Sequence, residues 1–126
     1  MNGNAMDSQA LRHYLLQKPE AQEDYPFGPE IAVYKVRGKM FALLGHFQGH
    51  DSVNLKCDPF EAQALRDIFP AVKPGYHMNK LHWNTVLLDG SVPAGELERM
   101  VDASFALVVA GLKKADRLAF QAKYGL

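Results

Sequence analysis

The sequence predicts an α+β domain: an antiparallel sheet with helices packed on one face, in the order helix, three strands, helix, strand, helix. Three observations carry this. Residues 52–57, SVNLKC, alternate cleanly. Val53, Leu55 and Cys57 share one face and Ser52, Asn54 and Lys56 the other, as in a half-buried antiparallel strand. Asp58, Pro59 and Glu61 then supply a cap, a first-turn proline and an acid three residues on, which is a helix start. Beyond Pro93, the residues Leu97, Val101, Ser104, Phe105, Val108 and Leu112 recur at helical spacing.

The elements follow in order. Asp7 caps a first helix whose apolar face is Leu11, Tyr14 and Leu15. Lys18-Pro19 ends it, because the residue before proline avoids the helical region. Residues 23–30 hold two prolines and a glycine and read as an ordered turn. Residues 31–36 and 39–47 are strands on either side of Arg37-Gly38, a hairpin-like break. Residues 52–57 form the third strand. The helix at Asp58 has the apolar stripe Phe60, Ala64, Leu65 and Ile68, and Glu61 is expected to reach back to the Asp58 amide. Lys73-Pro74-Gly75 opens a loop, a strand begins near His82, and Asp89-Gly90 is a turn. Pro93 opens the long last helix. Gly111 weakens it, and a segment marked by Ala115, Leu118, Ala119 and Ala122 either bends away or continues. The expected core contains Val53, Leu55, Trp83, Leu87, Leu97, Val101, Phe105 and Val108.

A chain of 126 residues, 48% hydrophobic and 22% charged, suits one soluble domain. It is read as one unit over 1–126, with a body over about 8–112 and a helical extension over 113–126. Apolar runs are far shorter than the roughly 20 residues that span a bilayer. No secretory signal is visible, and the single cysteine, Cys57, cannot pair within the chain, so a cytoplasmic monomer is expected. Net charge is zero but unevenly spread. Residues 1–34 hold two basic and five acidic side chains, and residues 35–82 hold seven basic and four acidic, with four of the five histidines. That basic middle matters for anionic partners, although it is also compatible with ordinary solvated surface.

The stretch from Val72 to Gly90 concentrates polar chemistry. Alternation from His82 places His82, Asn84 and Val86 on one strand face and Trp83, Thr85 and Leu87 on the other. Burying the large indole is worth a few kcal/mol, so Trp83 is read as core and His82 and Asn84 as solvent-facing. If that face coincides with the polar face of residues 52–57, then Asn54, Lys56, His82 and Asn84 form one surface. His77, Asn79 and Lys80 would border it from the loop, and Lys35 and Lys39 would join it. Such a surface can donate hydrogen bonds to phosphates or base edges. Equally, the loop's polar residues can simply satisfy loop backbone groups.

Catalytic signatures are missing. There is no GxSxG, Walker A or HExxH pattern, and the carboxylates are scattered. Strand parity puts Cys57 with Val53 and Leu55, as a buried inert thiol. His46, His50 and Asp51 fall on an expected hairpin turn rather than a helix, so no metal site and no cofactor are expected. The chain reads as a non-enzyme.

The segments PFGPEIAVYKVRGKMFAL, VNLKCDPFEAQALRDIFPAVKPGYHMNKLHWNTVLLDG and VPAGELERMVDASFALV resemble the MmcQ/YjbR family of small bacterial proteins over roughly residues 8–112. The resemblance implies a fold similar to the CyaY/frataxin-like arrangement and a DNA-binding role, with double-stranded DNA as partner. On that expectation Lys35, Lys39, Lys56, His77, Asn79, Lys80, His82 and Asn84 are the candidate nucleic-acid contacts. The alternative is a protein- or small-molecule-binding domain using the same polar surface.

Overall fold

The computed structural model describes residues 5–125. Residues 1–4 and Leu126, included in the single-domain reading, lie outside the described residues. Asp7 is in extended backbone and accepts the Ala10 amide at 2.8 Å, which starts α1 (Ser8–Leu16). Leu11 and Leu15 are its buried residues. β1 (Gln22–Asp24) follows where a turn was expected, and pairs with β2 (Ala32–Val36). β2 and β3 (Lys39–Phe47) join through Arg37 and Gly38, at φ 48° and 82°. Gln48 and Gly49, at φ 52° and 80°, join β3 to β4 (His50–Lys56). Two successive positive-φ residues match the right-handed twist of a tight hairpin.

α2 (Pro59–Ile68) starts as the sequence predicts, with Asp58 Oδ2 accepting the Phe60 and Glu61 amides at 3.1 and 3.3 Å. The reciprocal half of the expected box is replaced, because the Glu61 carboxylate pairs with Arg99 at 2.5 Å. The expected stripe also needs correction. Ala62 and Leu65 are buried, whereas Phe60 and Ile68 are 89% and 64% exposed and Ala64 is exposed. Asn84 anchors the inward face of the helix. Its side chain donates to the Ala62 carbonyl at 3.3 Å and accepts from Arg66 Nε at 2.8 Å, where the small Ala62 faces the sheet.

β5 (Val72–Pro74) falls where a loop was expected, and it forms a long hairpin with β6 (Trp83–Leu87). The sheet is antiparallel throughout, in the order β1-β2-β3-β4-β6-β5. α3 (Ala94–Ala110) lays Leu97, Val101, Ser104, Phe105 and Val108 onto it. α4 (Lys114–Tyr124) is a separate helix held by Phe120, with the Phe105 and Tyr124 ring centroids 5.9 and 4.6 Å away. Ala115, Leu118, Ala119 and Ala122 are exposed, so the extension docks through a residue outside its alanine pattern.

One side of the sheet, carrying Tyr34, Ala42, Val53, Leu55 and Val86, meets the helices in a single core. Each large side chain buried there is worth about 1.5–3 kcal/mol. The β2–β3 register slips between Tyr34 and Lys35, leaving Phe41 as the extra residue. This bulge lets both Phe41 and Ala42 reach the core, where Phe41 meets Phe105 edge-on at 5.0 Å. The β3–β4 ladder stops at Ala42–Leu55. One step on, Ser104 Oγ donates to the Phe41 carbonyl at 2.6 Å and accepts the Lys56 amide at 2.9 Å, which replaces the missing rung. Trp83 is the exception among the expected core residues. It is only half-buried, on the opposite side of the sheet.

Candidate functional site

The sheet face turned away from the helices holds a row of paired residues: Val33, Leu43, Asn54, Thr85 and Lys73. Above this row lies a cleft of about 490 Å³. β3 contributes Met40, Leu43, Gly45, His46 and Phe47, and β4 contributes Ser52 and Asn54. Phe27 and Ile31 close it from the β1–β2 connection, and Tyr76, His77 and Met78 close it from the β5–β6 loop. β3 is apolar on both faces because both are covered: one by α3, the other by these connections.

The floor is polar and ordered. Ser52, Asn54 and Thr85 are all buried. Thr85 Oγ1 donates to Asn54 Oδ1 and accepts the Tyr76 amide at 2.8 Å. Asn54 Nδ2 then faces the Tyr76 carbonyl at 3.4 Å. Thus one hydroxyl and one amide fasten the loop to the sheet. Tyr76 also stacks between Phe47 and His77, with ring centroids 4.5 and 4.0 Å away. His77 adopts φ 58°, a left-handed conformation costing a non-glycine residue about 1–2 kcal/mol. At Gly75 a Cβ would lie 2.8 Å from Trp83 Cβ and 2.9 Å from the Trp83 carbonyl oxygen, so only glycine allows the loop to cross β6 this closely.

The structure separates the residues expected to form one surface. Asn84 is buried on the helix side, paired with Leu55, while Lys56 pairs with Trp83 on the other side. The correction is one of sign. Alternation in β6 runs as read, but Arg66 and Ala62 satisfy Asn84 inside, and Trp83 takes the outer face. Lys35 and Lys56 are half-buried on the cleft side, with Lys35 Nζ 3.4 Å from Asp24. Lys39 is exposed at the β2–β3 turn. Lys80 is exposed in the loop, its carbonyl accepting from Arg66. Asn79 Oδ1 accepts the Leu81 amide at 2.9 Å, a bond serving the loop backbone. The His82 carbonyl accepts the Cys57 amide at 2.8 Å. Of the residues expected to form that surface, Asn54 and His77 line the cleft, and of the eight candidate nucleic-acid contacts His77 alone does so.

Ser52, Thr85 and the aromatic walls went unread as site residues. The legible signal was the two-sided apolarity of residues 39–47, which marks a strand covered on both faces. Cys57 is buried away from the cleft, and burial pushes its thiol up to about 11. His46 Nδ1 lies 3.0 Å from Asp51 Oδ1. Among the described residues no helix is long and apolar enough to cross a membrane.

A family model described as YjbR matches residues 16–107. YbdF of Escherichia coli O157:H7 is 39% identical over 116 residues, covering 89% of this chain and 95% of that protein. YjbR of E. coli strain K12 is 35% identical over 99 residues, covering 79% and 84%. Both are named as uncharacterized proteins. The crystal structure of Deinococcus radiodurans DR2400, with family-model domain DUF419, superposes with a TM-score of 0.83 at 36% identity, covering 94% of this chain and 91% of that one. Matched across the whole sheet, α2 and most of α3, and more than a third identical to relatives along most of their length, the chain belongs to the YjbR family.

Proposed function

We propose that this protein is a non-enzymatic binding domain that takes a small ligand into the cleft on the helix-free face. One observation supports this above the others: a cavity of about 490 Å³ with apolar walls and three buried polar side chains on its floor. Small-molecule sites have this construction, apolar lining for affinity and a few convergent polar groups for orientation. A ¹⁵N-resolved NMR titration with a library of small organic fragments tests it. The expected result is a set of shifts concentrated at Leu43, Ser52, Asn54 and Thr85. Shifts confined to the helix side would contradict the reading.

A second reading is phosphate-directed binding of double-stranded DNA. It rests on Lys35 and Lys56 emerging on that same face. Titration of labelled duplex at two salt concentrations separates the two readings, because phosphate contacts must weaken as salt rises. Lys56→Ala would then flatten the salt slope by about one unit. Absent or salt-independent binding removes the DNA reading and leaves the cleft reading in place.

A further inference from the structure

We infer that the cleft selects an uncharged aromatic small molecule carrying a carbonyl oxygen; this deepens, and rests on, the binding role proposed above. The first ground is charge. Among the described residues lining the cleft there is no lysine, arginine, aspartate or glutamate, and its only basic side chains are the imidazoles of His46 and His77, the former 3.0 Å from Asp51. A charged ligand entering it would lose hydration with no lysine, arginine or carboxylate in the lining to replace it, which is costly, and Lys35 and Lys56 stand on the same face outside that lining. The second ground is shape. Phe27, Phe47 and Tyr76 give the walls flat apolar surfaces, and aromatic rings pack on such surfaces in offset or edge arrangements.

The third ground is the proton inventory of the floor. The Tyr76 amide can only donate, so it occupies a Thr85 lone pair, and the Thr85 proton goes to Asn54 Oδ1. That fixes the Asn54 amide with Nδ2 toward the Tyr76 carbonyl, a long bond at 3.4 Å that uses one of its two hydrogens. The second hydrogen is a donor without an assigned acceptor. Ser52, a residue 5% exposed, adds a hydroxyl to the lining of the cleft. Across the β3–β4 rung from Ser52 stands Gly45, which contributes no side chain of its own, and Leu43 and Ile31 come no nearer than 3.6 and 3.8 Å to where its Cβ would be. Two hydrogen-bond donors at the bottom of an aromatic cleft lined by no lysine, arginine or carboxylate fit an oxygen acceptor.

The test compares three probes sharing one skeleton against the full chain at pH 8, followed by ¹⁵N-resolved NMR: 2-acetylnaphthalene, 2-naphthoate and 2-naphthylmethylammonium. The neutral ketone should shift the Leu43, Ser52, Asn54 and Thr85 amides and bind about tenfold or more tighter than either ion. Ser52→Ala should weaken the ketone about 2–10-fold. Gly45→Val should abolish binding while keeping a dispersed spectrum, since a Cβ at Gly45 meets only ordinary contacts, the nearest 3.6 Å away. If an ion equals or exceeds the ketone at those same amides, the ligand class is wrong and the cleft reading survives. If no probe moves those amides at millimolar concentration, both are overturned.

Discussion

Thr85 donates its hydroxyl hydrogen bond to Asn54 Oδ1 across the β4–β6 rung while accepting the Tyr76 amide at 2.8 Å. One buried side chain therefore couples the sheet floor to the loop above it. Thr85→Val keeps the shape and removes both bonds, leaving the Asn54 oxygen and the Tyr76 amide without a partner. The expected loss is about 1–3 kcal/mol in chemical denaturation. Hydrogen exchange at the Tyr76 amide should accelerate more than exchange in α3, because the loop is released first. Equal acceleration in both places would show that Thr85 supports the whole domain rather than the loop.

Ser104→Ala removes the hydroxyl that bridges the Phe41 carbonyl and the Lys56 amide. Both backbone groups lie where the β3–β4 ladder has already stopped, so neither has a ready substitute. A destabilisation of about 1–3 kcal/mol is expected. Urea midpoints compared at unchanged m-value measure it. Ser104→Thr should recover part of the loss, because the hydroxyl returns.

Glu23 is one source of acid sensitivity, beside Glu20 and Asp89, whose carboxyls are also held below their ordinary range by Arg37 and Ser91. The Arg12 guanidinium grips its carboxylate with two bonds at 2.7 and 2.8 Å, and Tyr34 donates to it at 2.6 Å. These bonds, Arg12 foremost, hold the Glu23 carboxyl well below its ordinary range, at about 2. A lowered folded-state value means the unfolded chain takes up its proton first. The stabilisation is therefore complete above about pH 4.3 and drains away as pH falls toward 2. Urea midpoints across that window should drop for the wild type. Glu23→Gln should be less stable at neutral pH, with a flatter slope below 4.5. An unchanged slope would assign the acid loss to other carboxylates.

Asp58 is the acceptor for two first-turn amides of α2. Asp58→Ala should cost about 0.5–2 kcal/mol. Glu61→Gln tests the revised partnership: it should weaken the contact with Arg99 rather than the cap. A double-mutant cycle between residues 61 and 99 should show coupling, and a cycle between 58 and 61 should show little.

Cys57 is 7% exposed, and burial raises its thiol to about 11. At pH 8 in native buffer, an aromatic disulfide reagent should label it only as fast as the protein opens. Labelling should become immediate in denaturant. Rapid native labelling would reverse the assignment of Cys57 as inert.

The features legible in the sequence are those set by short-range chemistry. Asp7 and Asp58 cap helices because a carboxylate next to free amides finds them whatever the rest of the chain does. The α3 stripe from Leu97 to Val108 could be read because one helix face met one core. In α2 the same reasoning picked Phe60 and Ile68, and failed. The face that meets the sheet is instead the one with Ala62 and Leu65, where Asn84 bonds the Ala62 carbonyl and Arg66. β6 shows the same limit most plainly. Its alternation was available from residues 82–87 alone, since side chains in any strand point to opposite sides in turn. Which of those sides is inside is a single choice of sign, and no local property makes it. Register with β4, the approach of α2 and the crossing of Gly75 over Trp83 made that choice, putting Asn84 in the core and Thr85 on the floor of the cleft.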